Sequence, residues 1–95
     1  MNHVALTACI VERKALRYTP AGLPALDLVL EHASDIQDGN SVRQVKLSLK
    51  AQAFGVLAET LGQQAIGSSW EFSGFLASPR SGQHAVLQIQ AFQPL

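Results

Sequence analysis

Apolar and polar residues alternate along most of this chain, and the alternation breaks in a few definite places. Val4, Leu6, Ala8 and Ile10 fall on one side of an extended stretch, which predicts a first strand over Asn2–Val11. Glu12-Arg13-Lys14 interrupts it, and Leu16-Arg17-Tyr18 carries the chain on to a turn. Pro20 and Pro24 bracket Gly22 there. Proline fixes φ and glycine supplies positive φ, so Thr19–Pro24 reads as a stiff reversal. Leu26, Leu28 and Leu30 then alternate with Asp27 and Glu31 in a second strand, Leu23–Ser34. Asp35–Ser41 reads as a polar hairpin loop with Asp38-Gly39-Asn40 as its turn signal. The third strand, Val42–Ala53, has the cleanest period. Val45, Leu47, Leu49, Ala51 and Ala53 point one way, and Gln44, Lys46, Ser48, Lys50 and Gln52 the other. A helix would scatter the two lysines around its circumference; a strand lines them on one solvent face.

The period then changes. Phe54, Leu57, Ala58, Leu61 and Ala65 follow helical spacing, which predicts a short helix over Phe54–Gln64, stopped by Gly67-Ser68-Ser69. A fourth strand follows over Trp70–Ser78, with Trp70, Phe72, Gly74 and Leu76 on one face. Trp70 alternates with Phe72 and so reads as core or dimer packing. Pro79–Gly82 is a tight turn. The fifth strand is Gln83–Gln93, with Leu87, Ile89 and Ala91 opposite Gln88, Gln90 and Phe92. Phe75 and Phe92 are out of phase with this core: either they are exposed or the phase slips at a bulge. Three strands, a short helix and two strands predict an all-β OB-fold, a five-stranded Greek-key barrel with the helix between strands three and four. An open α+β sheet is the rival. Gly74, in a strand that must bend, suits the barrel.

Composition narrows the function. A chain of 95 residues predicts one domain. Only 15% of residues are charged against 47% apolar, which predicts apolar surface that meets a partner and hence a homo-oligomer. The formal net charge is zero, which argues against a high-affinity electrostatic binder of nucleic acid but leaves room for a local basic patch. The single cysteine, Cys9, has no partner for a disulfide; it reads as a small buried hydrophobe in a reducing, cytoplasmic setting. No apolar run is long enough to predict a membrane span. His3, His32 and His84 lie far apart, so neither a metal site nor a cofactor is expected. Glu31 and Glu59 have no evident acid–base partner, and no phosphate-binding glycine loop occurs. The chain is expected not to be an enzyme.

Specific residues carry a resemblance. Asn2-x-Val4-x-Leu6, followed by Arg17-Tyr18-Thr19-Pro20-Ala21-Gly22, resembles the opening of bacterial single-stranded-DNA-binding proteins. Phe54-Gly55-Val56-Leu57-Ala58-Glu59, then Gly67-Ser68-x-Trp70-x-Phe72-x-Gly74-x-Leu76, resembles their helix and fourth strand. Pro20-x-Gly22-Leu23-Pro24, with Val29-Leu30-Glu31-His32 closing the second strand, more specifically resembles the primosomal replication protein N (PriB) family. So does the end of the chain at Leu95, without the long acid-tipped tail of ordinary single-strand binders. The resemblance implies a non-catalytic homodimer of OB-folds. It also implies that the chain binds single-stranded DNA, the PriA helicase and DnaT during replication restart.

OB-folds take oligonucleotides on the outer face of strands two and three and the loops beside it. On that plan Lys46, Ser48 and Lys50 form the centre of the expected DNA surface, with Arg43 near the strand's start. Arg13, Arg17 and Tyr18 extend it from one side, Arg80 and His84 from the other. Three departures from the family pattern predict weak binding, micromolar or poorer. Lys46 stands where relatives place a stacking aromatic, the loop Pro79–Gln83 holds one arginine where they hold several lysines, and Ala33 replaces a basic residue. The second face of the first strand (Ala5, Thr7, Cys9, Val11) is small and uncharged, and is the expected dimer interface. A general DNA-coating protein and a protein-interaction module with little DNA affinity are the alternative readings.

Overall fold

A computed structural model describes every residue of the chain except Arg80, Ser81 and Gln83. The elements run β1 (Val4–Arg13), β2 (Arg17–Tyr18), β3 (Pro24–Asp38), β4 (Ser41–Phe54), α1 (Val56–Gly62), β5 (Ser69–Ala77) and β6 (Val86–Gln93). Their order across the sheet is β1-β5-β6-β4-β3-β2, and a further β1–β3 pairing closes it into a barrel. The result is the expected OB-fold, with the two-residue β2 as an added edge on β3. A short parallel contact, Ala51 with Leu87 and Gln52 with Gln88, joins β4 to β6.

The leucine side of the alternation fills the barrel. Ile10, Leu26, Leu28, Leu30, Ala51, Ala53, Phe72, Leu87 and Ile89 are buried together. Helix α1 adds Ala58 and Leu61 to the same core, from a position against β3 and β4. It is shorter than the spacing predicts, because Gly55, at φ +72°, turns the chain before it and leaves Phe54 in β4. The turn at Thr19–Pro24 is built as its residues dictate. Gly22 adopts φ +83° and donates to the Thr19 carbonyl, while Thr19 Oγ1 accepts from the Leu23 amide.

Three expectations change. The Asp35–Ser41 loop is mostly strand: pairing continues to Asp38↔Ser41, leaving a two-residue turn at Gly39-Asn40 with Gly39 at φ +64°. Alternation marks a strand only where one face is buried; in a free-standing hairpin both faces are wet, so polar residues on both sides are compatible with strand pairing. A 15-residue strand rising ~3.3 Å per residue spans about 50 Å, so the hairpin projects as an arm and stretches the molecule to 52 × 28 × 21 Å.

The second change is the phase of β6. Gly74 pairs with Ile89 but Ser73 with Ala91, so Gln90 is an extra residue at a bulge. Beyond it the faces exchange: Ala91 is exposed, whereas Phe92 packs on the core. Phe92 meets the edge of Trp70 at 5.1 Å between ring centroids and stacks on Phe72 at 6.3 Å. Trp70 is therefore a core-packing residue. Gly74 is required at this bulge, because a Cβ there would overlap the Gln88 carbonyl. Leu76, expected inside, is 39% exposed, and its backbone is clamped by the Asn2 side-chain amide (2.7 and 2.9 Å).

The third concerns Cys9, which is half-buried rather than in the core. It lies opposite Glu31 of β3 and Ser69 of β5, on the outward face, while its neighbours Ala8 and Ile10 point in.

Candidate nucleic-acid interface

The β3–β4 register fixes the outer wall of the barrel. Val29 lies opposite Lys50, Glu31 opposite Ser48 and Ala33 opposite Lys46, and directly opposed residues in a sheet project to the same side. Lys46, Ser48 and Lys50 are all exposed there. The expected centre of the site is therefore one continuous face. Its outward positions from Asp27 to Ala33 and from Gln44 to Gln52 carry no aromatic side chain.

Other expected residues go elsewhere. A bulge between Ile10 and Glu12 shifts the phase of β1, so that Arg13 pairs with Leu28 of the inward set. Its guanidinium then donates to the carbonyls of Leu61 and Gln64 at the end of α1. Arg13 thus caps the C-terminal end of the helix, where a cation meets the last carbonyls and the negative end of the helix dipole. Arg43 pairs with Ile36 on the face of Val45 and Leu47, opposite Lys46, and reaches Asp38 at 3.9 Å. Tyr18 is 64% exposed, but it pairs with Pro24 and so projects away from the side that Arg17 shares with Ala25. His84 is exposed in the segment before β6, and Arg80 lies outside the described residues.

Arg17 is on the expected side but is not free. Its Nε and Nη2 donate to the two carboxylate oxygens of Asp27 at 3.1 and 3.3 Å. That hydrogen bonding, with the carboxylate charge, raises the guanidinium pKa above its ordinary value. The pair is exposed, so its worth in stability is below about 1 kcal/mol.

Lys14 was missing from the expected set. It follows β1 directly, and its amide donates to the Asp27 carbonyl at 3.0 Å. With Lys50, Gln52, Glu12, Asp27 and Pro79 it lines a groove of about 480 Å³. The signal was in the sequence: if the strand runs on through Arg13, Glu12 and Lys14 share one face. Lys46 and Ser48 line a second, more open groove with Glu31, His32 and Thr7.

The wall is thus electrostatically mixed. Lys14, Lys46 and Lys50 stand among Glu12, Asp27 and Glu31. Among the described residues the ion pairs are Arg17–Asp27 and Arg43–Asp38, and no cluster of side chains is arranged to hold a metal ion. No helix there is long and apolar enough to cross a membrane.

Comparison with known proteins matches this architecture. Residues 2–91 match a family model described as another single-strand binding protein family. The single-stranded DNA binding protein from Thermus aquaticus superposes with a TM-score of 0.80 at 25% identity, over all of this chain and half of that one. The fold and the match together define the class: an OB-fold member of the single-strand binding proteins. Within it, replication restart protein PriB of Bordetella pertussis is 42% identical over 80 residues, 84% of this chain and 75% of that protein. PriB of Neisseria gonorrhoeae is 37% identical over 90 residues, 94% and 89% of the two chains. The solved structure of PriB from Ralstonia solanacearum superposes with a TM-score of 0.90 at 33% identity, over 99% of this chain and 97% of that one. The chain belongs to the PriB family of replication restart proteins.

Proposed function

We propose that this protein is a non-catalytic, single-stranded-DNA-binding adaptor of replication restart, which holds DNA weakly on the β3–β4 wall. The observation that carries the reading is the shared exposed face of Lys46, Ser48 and Lys50, with Lys14 across the groove from Lys50. Fixed cations along a groove track a phosphate backbone. Base stacking contributes ~1–3 kcal/mol per base in single-strand binders, and this wall has no aromatic ring to supply it. Glu31 and Glu12 add like-charge repulsion toward phosphates. Binding is therefore weak and electrostatic.

A weak DNA contact suits an adaptor. Two copies in one assembly present two sites, and the second contact becomes intramolecular. The reading has three further parts: the PriA helicase as partner and DnaT as partner, which membership of the PriB family supports, and a homodimer. For the homodimer, the edge of β1 that carries Ala5 and Thr7 is the surface assigned here. A helicase-unwinding assay tests the adaptor role directly. Stimulation of PriA that is lost in the Lys46→Ala/Lys50→Ala variant supports it. Full stimulation by that variant would leave only a protein-interaction module. This second reading is favoured by one observation, the acids that interleave the lysines.

A further inference from the structure

Two rows of outward residues cross three strands in the groove beside Lys50. The β1–β3 and β3–β4 registers set Glu12, Val29 and Lys50 side by side. The next outward row is Lys14, whose amide bonds to the Asp27 carbonyl, then Asp27 and Gln52. All six line the groove of about 480 Å³. Strands ~4.8 Å apart, with residues ~3.3 Å apart along them, make this a plot of about 10 by 7 Å. Val29, half-buried, is an apolar seat in the middle of the first row, with an acid at one end and a cation at the other. Asp27 is committed to Arg17, whose guanidinium donates to both of its carboxylate oxygens. Glu12, Lys14 and Lys50 are exposed, and none is in an ion pair among the described residues. A ring laid flat on Val29 therefore has a carboxylate at one edge and an ammonium at the other.

We infer that this groove seats one guanine of the bound strand and that Glu12 is the residue that selects it. The inference rests on the DNA-binding reading above and adds the base that the wall prefers. With no aromatic platform on the wall, bases are told apart there by hydrogen bonding to their edges. Guanine carries N1–H and N2–H donors on one edge and the N7 acceptor on the side facing away, with O6 between. A carboxylate accepts both donors at once, and an ammonium donates to N7 or O6. Thymine turns a single N–H flanked by two carbonyls toward the acid, and a methyl group toward the cation. Cytosine and adenine each offer the acid one amine. Lys14, diagonal to Val29, is left for the phosphate.

Fluorescence polarisation on the full chain reads the preference, at fixed salt and in a lithium buffer that does not support guanine quartets. The probes are labelled strands of about 12 nucleotides. One is oligothymidylate; in the others thymidine alternates with deoxyguanosine, deoxyinosine or deoxycytidine. A bidentate base contact discriminates by roughly 5- to 150-fold, and an open groove belongs at the low end. The guanine strand should therefore bind about fivefold more tightly than oligothymidylate. Inosine lacks the N2 amine and should lose most of that gain, and the cytosine strand should fall below the guanine strand. Glu12→Ala should tighten oligothymidylate about twofold, by removing a like charge, and abolish the guanine gain. Equal affinity of the native chain for the guanine and thymine strands would overturn the inference and leave the DNA-binding reading standing. So would a guanine gain that survives Glu12→Ala. Failure to bind any of the strands would overturn both.

Discussion

Glu31 lies directly opposite Ser48, which places its carboxylate diagonal to both Lys46 and Lys50 on the outer wall of the barrel. Diagonal neighbours in an antiparallel pair are ~7–8 Å apart, too far for a tight ion pair but close enough to offset the field of both lysines. The strand-by-strand pattern shows two lysines with no acid between them; the acid comes from the neighbouring strand. Glu31→Gln should therefore strengthen binding of a short oligonucleotide by about two- to fivefold, matching exposed charge pairs worth 0.2–1 kcal/mol. Fluorescence polarisation at fixed salt checks it, and weaker binding would mean that Glu31 contacts the ligand instead.

Arg13 and Lys14 are neighbours with different work. Arg13 reaches the Leu61 and Gln64 carbonyls, whereas Lys14 lines the groove beside Lys50. Arg13→Ala should lower unfolding stability by about 1–2 kcal/mol through the lost charge-assisted bonds, with oligonucleotide affinity unchanged. Lys14→Ala should do the reverse, leaving stability within about 0.5 kcal/mol and weakening binding. Denaturant melts and titrations on the two variants separate the roles.

The bulge in β6 makes adjacent residues opposite in character. Phe92→Glu should unfold the domain or cost about 3 kcal/mol or more, because the ring packs on Trp70 and Phe72. Ala91→Glu should be tolerated, since Ala91 is exposed. Trp70 fluorescence during denaturation reports both. Equal damage from the two would place the bulge elsewhere.

Gly74→Ala should be among the most damaging single changes in the chain. The added methyl would sit against the Gln88 carbonyl, a backbone group that cannot rotate away. A loss of about 3 kcal/mol or more is expected, above the ~1–3 kcal/mol of ordinary overpacking. Gly62→Ala, where a Cβ meets nothing within 4 Å, is the control and should be neutral or stabilising.

The barrel was legible because burial enforces period two: one slip would turn Leu26, Leu28 and Leu30 outward together. The Thr19–Pro24 turn was legible because its residues admit few conformations. What periodicity could not place were the two bulges. At Val11 an extra residue sends Arg13 inward to the helix and leaves Glu12 and Lys14 on the wall. At Gln90 another exchanges Ala91 and Phe92. A bulge adds a residue without altering the local composition, so alternation alone reads straight through it. The arm reads as a loop in the sequence for the opposite reason. Asp35–Ser41 buries nothing, so its strand character comes from pairing alone.

Lys46 and Lys50 are the heart of the proposed site, and one titration tests that most directly. Oligonucleotide binding should be measured from ~50 to 200 mM salt for the native chain and for Lys46→Ala/Lys50→Ala. The native chain should bind with micromolar or weaker affinity near 150 mM salt. Its log–log salt slope should be about −2, or roughly three phosphates at 0.7 each, and the double variant should lose most of that slope while its thermal unfolding is unchanged. Nanomolar affinity with a slope for six or more phosphates, or a double variant that binds as the native chain does, would contradict the assignment of this wall.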